Sequence, residues 1–69
     1  MATKIKALKG LIYGTYDSET EMATVMGWPR QRLNKISNGN KIPNINEIQL
    51  IAYALEKPVG EIAQIFLSD

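Results

Sequence analysis

The chain of 69 residues has no cysteine and no histidine. Without cysteine it has neither a disulfide framework nor a thiolate metal site, and without histidine it lacks the commonest general base and metal ligand. Its carboxylates form no convincing acid/base pair, since Glu19 and Glu21 are better explained as residues at the start of a helix. We therefore expect no enzyme activity, no metal site and no cofactor.

Long apolar runs are also missing, and none approaches the roughly 20 residues of a membrane span. No apolar segment follows the lysines near the N-terminus, as a signal peptide would require. We expect a cytoplasmic protein with no membrane partner. A chain of this length predicts one small domain, covering residues 1–69, which buries only about 60% of the surface that its unfolded form exposes.

Acidic residues are absent from one long stretch. Residues 22–46 contain four cations and no acid, whereas acids concentrate in residues 17–21 and 47–69. The four cations are Arg30, Arg32, Lys35 and Lys41. This pattern predicts one basic face and one acidic face, and a basic face is typical of a protein with a polyanionic partner. Ordinary charge scatter on a solvated surface is the alternative.

Apolar periodicity and helix-end signals predict five helices and no strand. The first covers about residues 4–13 and is ended by Gly14 and the Tyr16–Asp17 pair, the second covers about 19–26 and the third about 29–37. The fourth begins after Pro43, and Pro58 prevents its continuation; the fifth extends to about residue 66. The fourth helix has the broadest apolar face, so we expect it to be central.

The strongest local signals lie at helix ends. Ser18 with Glu21, and Asn44 with Glu47, have the spacing of capping boxes, in which the first side chain accepts from a free backbone N–H and the glutamate reaches back. Gly27 follows the last apolar position of the second helix, where a left-handed C-terminal cap favours glycine.

The same periodicity predicts which side chains face the core. In the second helix these are Met22, Val25 and Met26, and in the third only Leu33 and Ile36. In the fourth they are Ile45, Ile48, Leu50, Ile51, Ala54 and Leu55.

The third helix, with Pro29 at its first position, has a wide polar outward face. That face consists of Arg30, Gln31, Arg32, Asn34 and Lys35. A short helix with such donors near its start can enter a DNA major groove, where arginine suits guanine and glutamine suits adenine. The alternative is a solvated polar face with no ligand.

Together these features resemble the helix-turn-helix DNA-binding domains of the lambda-repressor and Cro type. The resemblance covers about residues 4–66 and rests on Met22-Ala23, Gly27, Leu33, Ile36, Asn38-Gly39, Pro43, Ile48-x-x-Ile51-Ala52-x-Ala54-Leu55 and Val59-x-Glu61-Ile62. It implies an all-α, compact five-helix domain with its helix-turn-helix at about residues 19–37.

The resemblance also implies roles for particular residues. The positions that face base edges are Arg30, Gln31 and Lys35. The positions that contact or flank the DNA backbone are Ser18, Arg32, Asn34, Asn38, Gly39, Asn40 and Lys41.

Some positions depart from the family's pattern. Glu19 stands where a glutamine often holds a phosphate, and Trp28-Pro29 replaces small cap residues before the third helix. We expect Trp28 to pack at the edge of the core. Many members pair an arginine with a glutamate at the positions held here by Ile12 and Ser37. Glu56 occupies the place of a helix-ending glycine, which predicts a strained turn there.

The predicted function is that of a small Cro/repressor-like transcriptional regulator, prokaryotic or phage-encoded, which occupies a near-palindromic operator in double-stranded DNA. With no second domain expected, a homodimer, formed at least on DNA, uses the domain itself. The candidate dimer surface is Val59, Ile65, Phe66 and Leu67. The alternative is a protein-interaction module of the same fold, of the antitoxin or anti-repressor type, that binds its partner through the acidic and apolar C-terminal half.

Overall fold

The computed structural model describes residues 5–67, and those residues form five α-helices and no strand. The helices are α1 (Lys6–Thr15), α2 (Glu19–Met26), α3 (Arg30–Ser37), α4 (Ile45–Leu55) and α5 (Val59–Leu67). They pack into a globule with principal extents of 27 × 26 × 21 Å. The predicted all-α class and the number of helices are confirmed.

One apolar core is shared by all five helices. Its buried members are Leu8, Ile12, Met22, Ala23, Trp28, Leu33, Ile36, Ile51, Ala52, Leu55 and Ile62. Burying one leucine or isoleucine side chain contributes about 1.5–3 kcal/mol. Since α3 buries only two such side chains, the polar contacts of Arg32, Asn34 and Ser37 have a larger part in holding it.

The helix at the centre of the packing is α1. Its Cα atoms approach each of the other four helices within 8 Å, whereas those of α4 approach α1, α2 and α5 but not α3. The helix that we predicted to be central, α4, thus packs against three of the other four helices. Its apolar face is broad because it includes Ile45 and Leu50, which are 61% and 47% exposed.

Val25 is also exposed, against prediction, at 63%. Each residue of an α-helix turns by about 100°, so Val25 lies roughly 110° from the direction set by buried Met22 and Ala23. Leu50 lies still further, roughly 140°, from the centre of the buried face of α4. An eight- or eleven-residue helix on a small globule buries only a narrow stripe, and these side chains fall outside it.

Two predicted helix boundaries differ from the structure. α1 continues past Gly14 to Thr15 and ends at its C-cap Tyr16, the first residue of the predicted Tyr16–Asp17 pair; the Tyr16 N–H still donates to the Ile12 carbonyl at 2.7 Å. The predicted start at Lys4 lies outside the described residues. Pro29 precedes α3 as its N-cap rather than its first residue, because its ψ of 144° is extended.

Three helices end in the same left-handed turn. The residues with positive φ are Gly27 (75°), Gly39 (77°) and Glu56 (56°). After each of them a backbone N–H reaches back five residues, as in a Schellman motif. These bonds run from Trp28 to Ala23, from Asn40 to Lys35 and from Lys57 to Ala52. The strained turn predicted at Glu56 is therefore present, in the one place where the motif lacks glycine.

Candidate nucleic-acid interface

The unit formed by α2, Gly27 and α3 fixes which side of α3 faces outward. Gly27 adopts the left-handed conformation, and the Trp28 N–H donates to the Ala23 carbonyl at 2.9 Å. Leu33 and Ile36 are fully buried and hold α3 against the core. Apart from Ser37, which is also buried, the remaining positions of α3 are directed toward its flanks and solvent.

The three residues predicted to contact bases lie together on this outward side. Arg30, Gln31 and Lys35 are all exposed, and their side chains make no hydrogen bond or ion pair with any residue from 5 to 67. Gln31 and Lys35 are one turn apart on the side of α3 opposite Leu33 and Ile36. They are available as donors to an external acceptor.

The start of α2 is capped by a side chain, whereas the start of α3 has no side-chain cap among residues 5–67. At α2, the Ser18 hydroxyl accepts from the Glu21 N–H at 3.1 Å, which confirms the serine half of the predicted capping box. At α3, no side chain within residues 5–67 accepts from the first turn, and the Pro29 carbonyl accepts only from the Arg32 N–H, at 3.1 Å. The free N–H groups there, at the positive end of the helix dipole, favour an anion.

Glu19 is not directed at a phosphate, nor is it explained by capping. Its carboxylate is buried, with the residue 6% exposed, and it accepts hydrogen bonds from Ser37 Oγ (2.6 Å), Lys9 Nζ (2.8 Å), Tyr13 OH (3.3 Å) and Asn34 Nδ2 (3.3 Å). One side chain of α2 therefore binds α1 and α3 together. Sequence reasoning missed this because the donors are 6 to 18 residues away.

The surroundings of Glu19 keep it ionised. Burial, the largest single effect, raises the pKa of its carboxyl group, but the hydrogen bonds from Lys9, Ser37 and Asn34 and the charge of Lys9 together lower that pKa below 4.5. The carboxylate is therefore charged at neutral pH and accepts hydrogen bonds from four donors.

Glu47 forms a second buried carboxylate centre, at the start of α4. The side chain is 1% exposed. Its Oε1 accepts from the Asn44 N–H at 3.0 Å, while Asn44 Oδ1 accepts from the Glu47 N–H at 2.8 Å, which confirms the predicted capping box. Its Oε2 accepts from Arg32 Nε at 3.0 Å and Lys41 Nζ at 2.7 Å.

These contacts lower the pKa of Glu47 to about 2. The hydrogen bond from Lys41 is the largest cause, followed by the Asn44 backbone N–H; burial opposes them, and Arg32 adds to them. Because α3 and α4 have no Cα atoms within 8 Å of one another, the Arg32–Glu47 pair is a direct link between two helices whose backbones do not pack together.

The Arg32 guanidinium also stacks on Trp28, with its central carbon 4.2 Å from the ring centroid. Trp28 is 8% exposed, so the predicted packing at the core edge is confirmed. The side chains of Arg32 and Lys41 remain 41% and 42% exposed despite their shared carboxylate. Both are held in place and still accessible.

The other residues predicted to lie at the DNA backbone belong to the end of α3 and the loop after it. Asn38 Nδ2 donates to Asn34 Oδ1 at 3.0 Å, so these two amides are directed by each other. Gly39 and Asn40 are exposed in the left-handed turn. The loop therefore presents polar groups beside Lys41, on the same chain segment.

Of the four predicted dimer residues, two are exposed and two are not. Leu67 is 77% and Val59 39% exposed, whereas Ile65 and Phe66 are partly buried against the core. A separate apolar groove of about 310 Å³ lies between α2 and α4, lined by Tyr16, Val25, Met26, Leu50, Tyr53 and Ala54. Tyr53 is 86% exposed at its edge.

Comparison with protein-family models, with curated proteins and with solved structures gives no match. Within residues 5–67 no group of acidic side chains is arranged to hold a metal ion. No helix in that part of the chain has the length and apolar character needed to cross a membrane.

Proposed function

We propose that this protein binds double-stranded DNA at a specific sequence, as a small Cro/repressor-like transcriptional regulator with a lambda-repressor-like helix-turn-helix. The observation that carries the proposal is the two-sided character of α3. Leu33 and Ile36 are fully buried, while Arg30, Gln31 and Lys35 are exposed without a partner among the described residues. The helix is thus fixed in orientation, with its donors free.

The mechanism divides the polar groups into two sets. Gln31 and Arg30, near the start of α3, read base edges, since their side chains match adenine and guanine in the major groove. Lys35 extends this contact by one turn. The loop residues Asn38 to Lys41 hold the phosphate backbone and set the register. Transcription is blocked because the occupied operator is closed to polymerase or to a competing regulator.

A homodimer on a near-palindromic operator completes the proposal. Two-fold symmetry requires the two copies of α3 to enter successive major grooves, roughly 34–36 Å apart. Leu67 and Val59, at the two ends of α5, are the exposed apolar side chains that the proposed contact uses.

The deciding experiment is selection of binding sites from random duplexes, repeated over a series of salt concentrations. Enrichment of one near-palindromic sequence, with affinity that falls steeply as salt rises, supports the proposal. A pool that stays random, with a flat salt response, contradicts it. A matched selection with Arg30→Ala/Gln31→Ala protein separates recognition by α3 from general attraction to DNA.

A second candidate function is a protein-interaction module, which the groove between α2 and α4 favours. Val25, Leu50 and Tyr53 are large apolar side chains left exposed there, at 63%, 47% and 86%. Large apolar side chains grouped at a surface often mark a protein-binding site. The double variant Val25→Glu/Leu50→Glu should lose binding of a protein partner in this groove but keep operator binding. The same variant therefore distinguishes the two functions.

A further inference from the structure

Two cationic side chains converge on a single atom at the edge of α3. Arg32 Nε and Lys41 Nζ both donate to Glu47 Oε2, at 3.0 and 2.7 Å. One carboxylate carries one negative charge, so the three side chains together keep one positive charge. Because Glu47 is 1% exposed and the two cations are 41% and 42% exposed, the positive part of the cluster is the part that faces solvent.

The cluster leaves donors unused. Arginine has five N–H donors and lysine three. The bond from Arg32 to Glu47 uses Nε, on one edge of the guanidinium, and the flat face lies on Trp28 at 4.2 Å. The guanidinium is therefore held at two points, and its terminal amino groups make no hydrogen bond with any residue from 5 to 67. Lys41 likewise keeps N–H groups beyond the one that Glu47 accepts.

We infer that Arg32 and Lys41 form one site for a single phosphate group of the nucleic-acid backbone, and that Glu47 is the positioning residue that brings them together. The inference rests on the proposed function, because its ligand is a phosphodiester of the bound duplex. It goes beyond that function in grouping two cations at one phosphate and in giving a role to a buried acid.

The physical reason is preorganisation. Free arginine and lysine side chains lose much rotamer freedom when they bind, and a site in which that freedom is already lost binds more tightly. Lys41 lies in the loop before α4 and Arg32 on α3, two segments that Glu47 joins. Without this acid, the two cations would be free to move independently.

The test measures affinity against salt for Arg32→Ala, Lys41→Ala and the double variant, on a half-site duplex that binds a single protomer. Each phosphate contact contributes about 0.9 to the slope of log affinity against log salt. If both side chains hold one phosphate, the double variant loses about 0.9. Lys57→Ala, at the opposite end of α4 from Glu47, is the control and keeps the wild-type slope.

Three other results would contradict the inference, and each has a different meaning for the proposed function. A loss of about 1.8 in the double variant means two separate phosphates and overturns the shared site. An unchanged slope in the double variant, with wild-type protein still binding DNA in a salt-dependent way, overturns the site but leaves the proposed function standing. Wild-type protein that does not bind DNA at all overturns both.

The direction in which Glu47→Gln changes DNA affinity tests the positioning role of Glu47. The change adds one positive charge to the protein, so a carboxylate that only neutralised its neighbours would raise DNA affinity when removed. A positioning residue gives the opposite result, a fall of about tenfold, which equals 1.4 kcal/mol. Affinity that rises or stays equal overturns the role.

Arg32→Lys supplies the answer if Glu47→Gln does not fold. Lysine keeps the charge but has no planar group to stack on Trp28 and no fork of donors. We expect severalfold weaker binding with the salt slope unchanged. Wild-type affinity in this variant would show that the orientation of Arg32 has no part in binding, and would overturn the inference.

Discussion

The Ser37 hydroxyl donates a 2.6 Å hydrogen bond to the buried carboxylate of Glu19. Ser37 is fully buried at the last position of α3, and its own carbonyl accepts from the Ile5 N–H at 2.9 Å. A hydroxyl bonded to an ionised oxygen at this distance is a charge-assisted bond, about twice as strong as a neutral one. The end of α3 is therefore held to the start of α2 and to the segment before α1 through one small residue.

Ser37→Ala is expected to destabilise the protein by about 1–3 kcal/mol, because a buried charged acceptor loses its shortest donor. The measurement is the free energy of unfolding in urea. Thr24→Ala is the matched control: its hydroxyl donates to the Thr20 carbonyl at 2.9 Å, but in solvent. That change should stay within about 0.5 kcal/mol. Equal effects of the two changes would contradict the importance of the Ser37–Glu19 bond.

Stability should fall with pH below about 4.5 as Glu47 protonates. Its pKa is lowered to about 2 in the folded protein, so its contribution is fully present above its unfolded value of 4.5 and is lost as pH falls toward 2. The size of this loss is about 3 kcal/mol. The pKa of Glu19 is also lowered, so its contribution to stability is likewise lost as pH falls.

Unfolding in urea from pH 7 to pH 2 measures this dependence. The difference in stability between wild type and Glu47→Gln should be largest at neutral pH and should shrink through the interval from 4.5 to 2. Glu21→Gln is the control, since Glu21 is exposed at the equivalent third position of α2. A wild-type-minus-variant difference that is constant with pH would show that Glu47 acts through its shape alone.

Glu56→Gly should stabilise the protein by about 0.5–1 kcal/mol, with a rise in Tm of several degrees. Glu56 has a φ of 56° in a turn where glycine has no steric cost. Gly27→Ala is the reciprocal change: a Cβ there meets nothing within 4 Å, so the positive φ of 75° alone should make it destabilising. Thermal unfolding of both variants tests the pair; a destabilised Glu56→Gly protein would argue for a contact through the glutamate.

Gln31→Ala and Arg30→Ala should each weaken operator binding by about 1–3 kcal/mol and relax the preference at one base pair. The readout is affinity for the selected operator and for single-base variants of it. Gln64→Ala, an exposed glutamine on α5, should bind like wild type. Equal loss on operator and random DNA would assign Gln31 or Arg30 to the backbone instead.

Leu67→Lys should prevent dimer formation without loss of folding, because Leu67 is 77% exposed at the end of α5. Sedimentation of the protein with a full operator and with a half-site gives the stoichiometry. Tyr53→Lys, equally exposed on α4, should leave two copies on the full operator. If two copies of the Leu67→Lys protein still bind the full operator with undiminished cooperativity, the dimer contact does not include Leu67.

Signals that act between neighbours in the chain were predicted well from the sequence. Gly27 and Glu56 mark helix ends by their left-handed backbone conformation. Asn44 and Glu47, three residues apart, mark the start of α4 by the hydrogen bonds of a capping box. The same holds for the exposed side of α3, because Leu33 and Ile36 are the apolar residues of its buried stripe. Such features depend on spacing that can be counted along the chain.

Features that depend on distant parts of the chain were predicted poorly. Val25 and Leu50 satisfy apolar periodicity, but no other helix covers them. Glu19 was explained as a residue at the start of a helix, whereas its carboxylate accepts from donors on two other helices. The pairing of Arg32 with Glu47 spans 15 residues. None of these has a local sequence signal, since each follows from how the helices are placed around α1.

Trp28 is the chain's single tryptophan, and it lies between the core and the Arg32 guanidinium. Its fluorescence is therefore an intrinsic reporter of two separate events, with no label needed. Unfolding transfers the indole to water, while any anion that binds Arg32 changes the charge above the ring and leaves the indole buried. Emission wavelength and intensity thus distinguish loss of the fold from occupation of the Arg32–Lys41 site in a single titration.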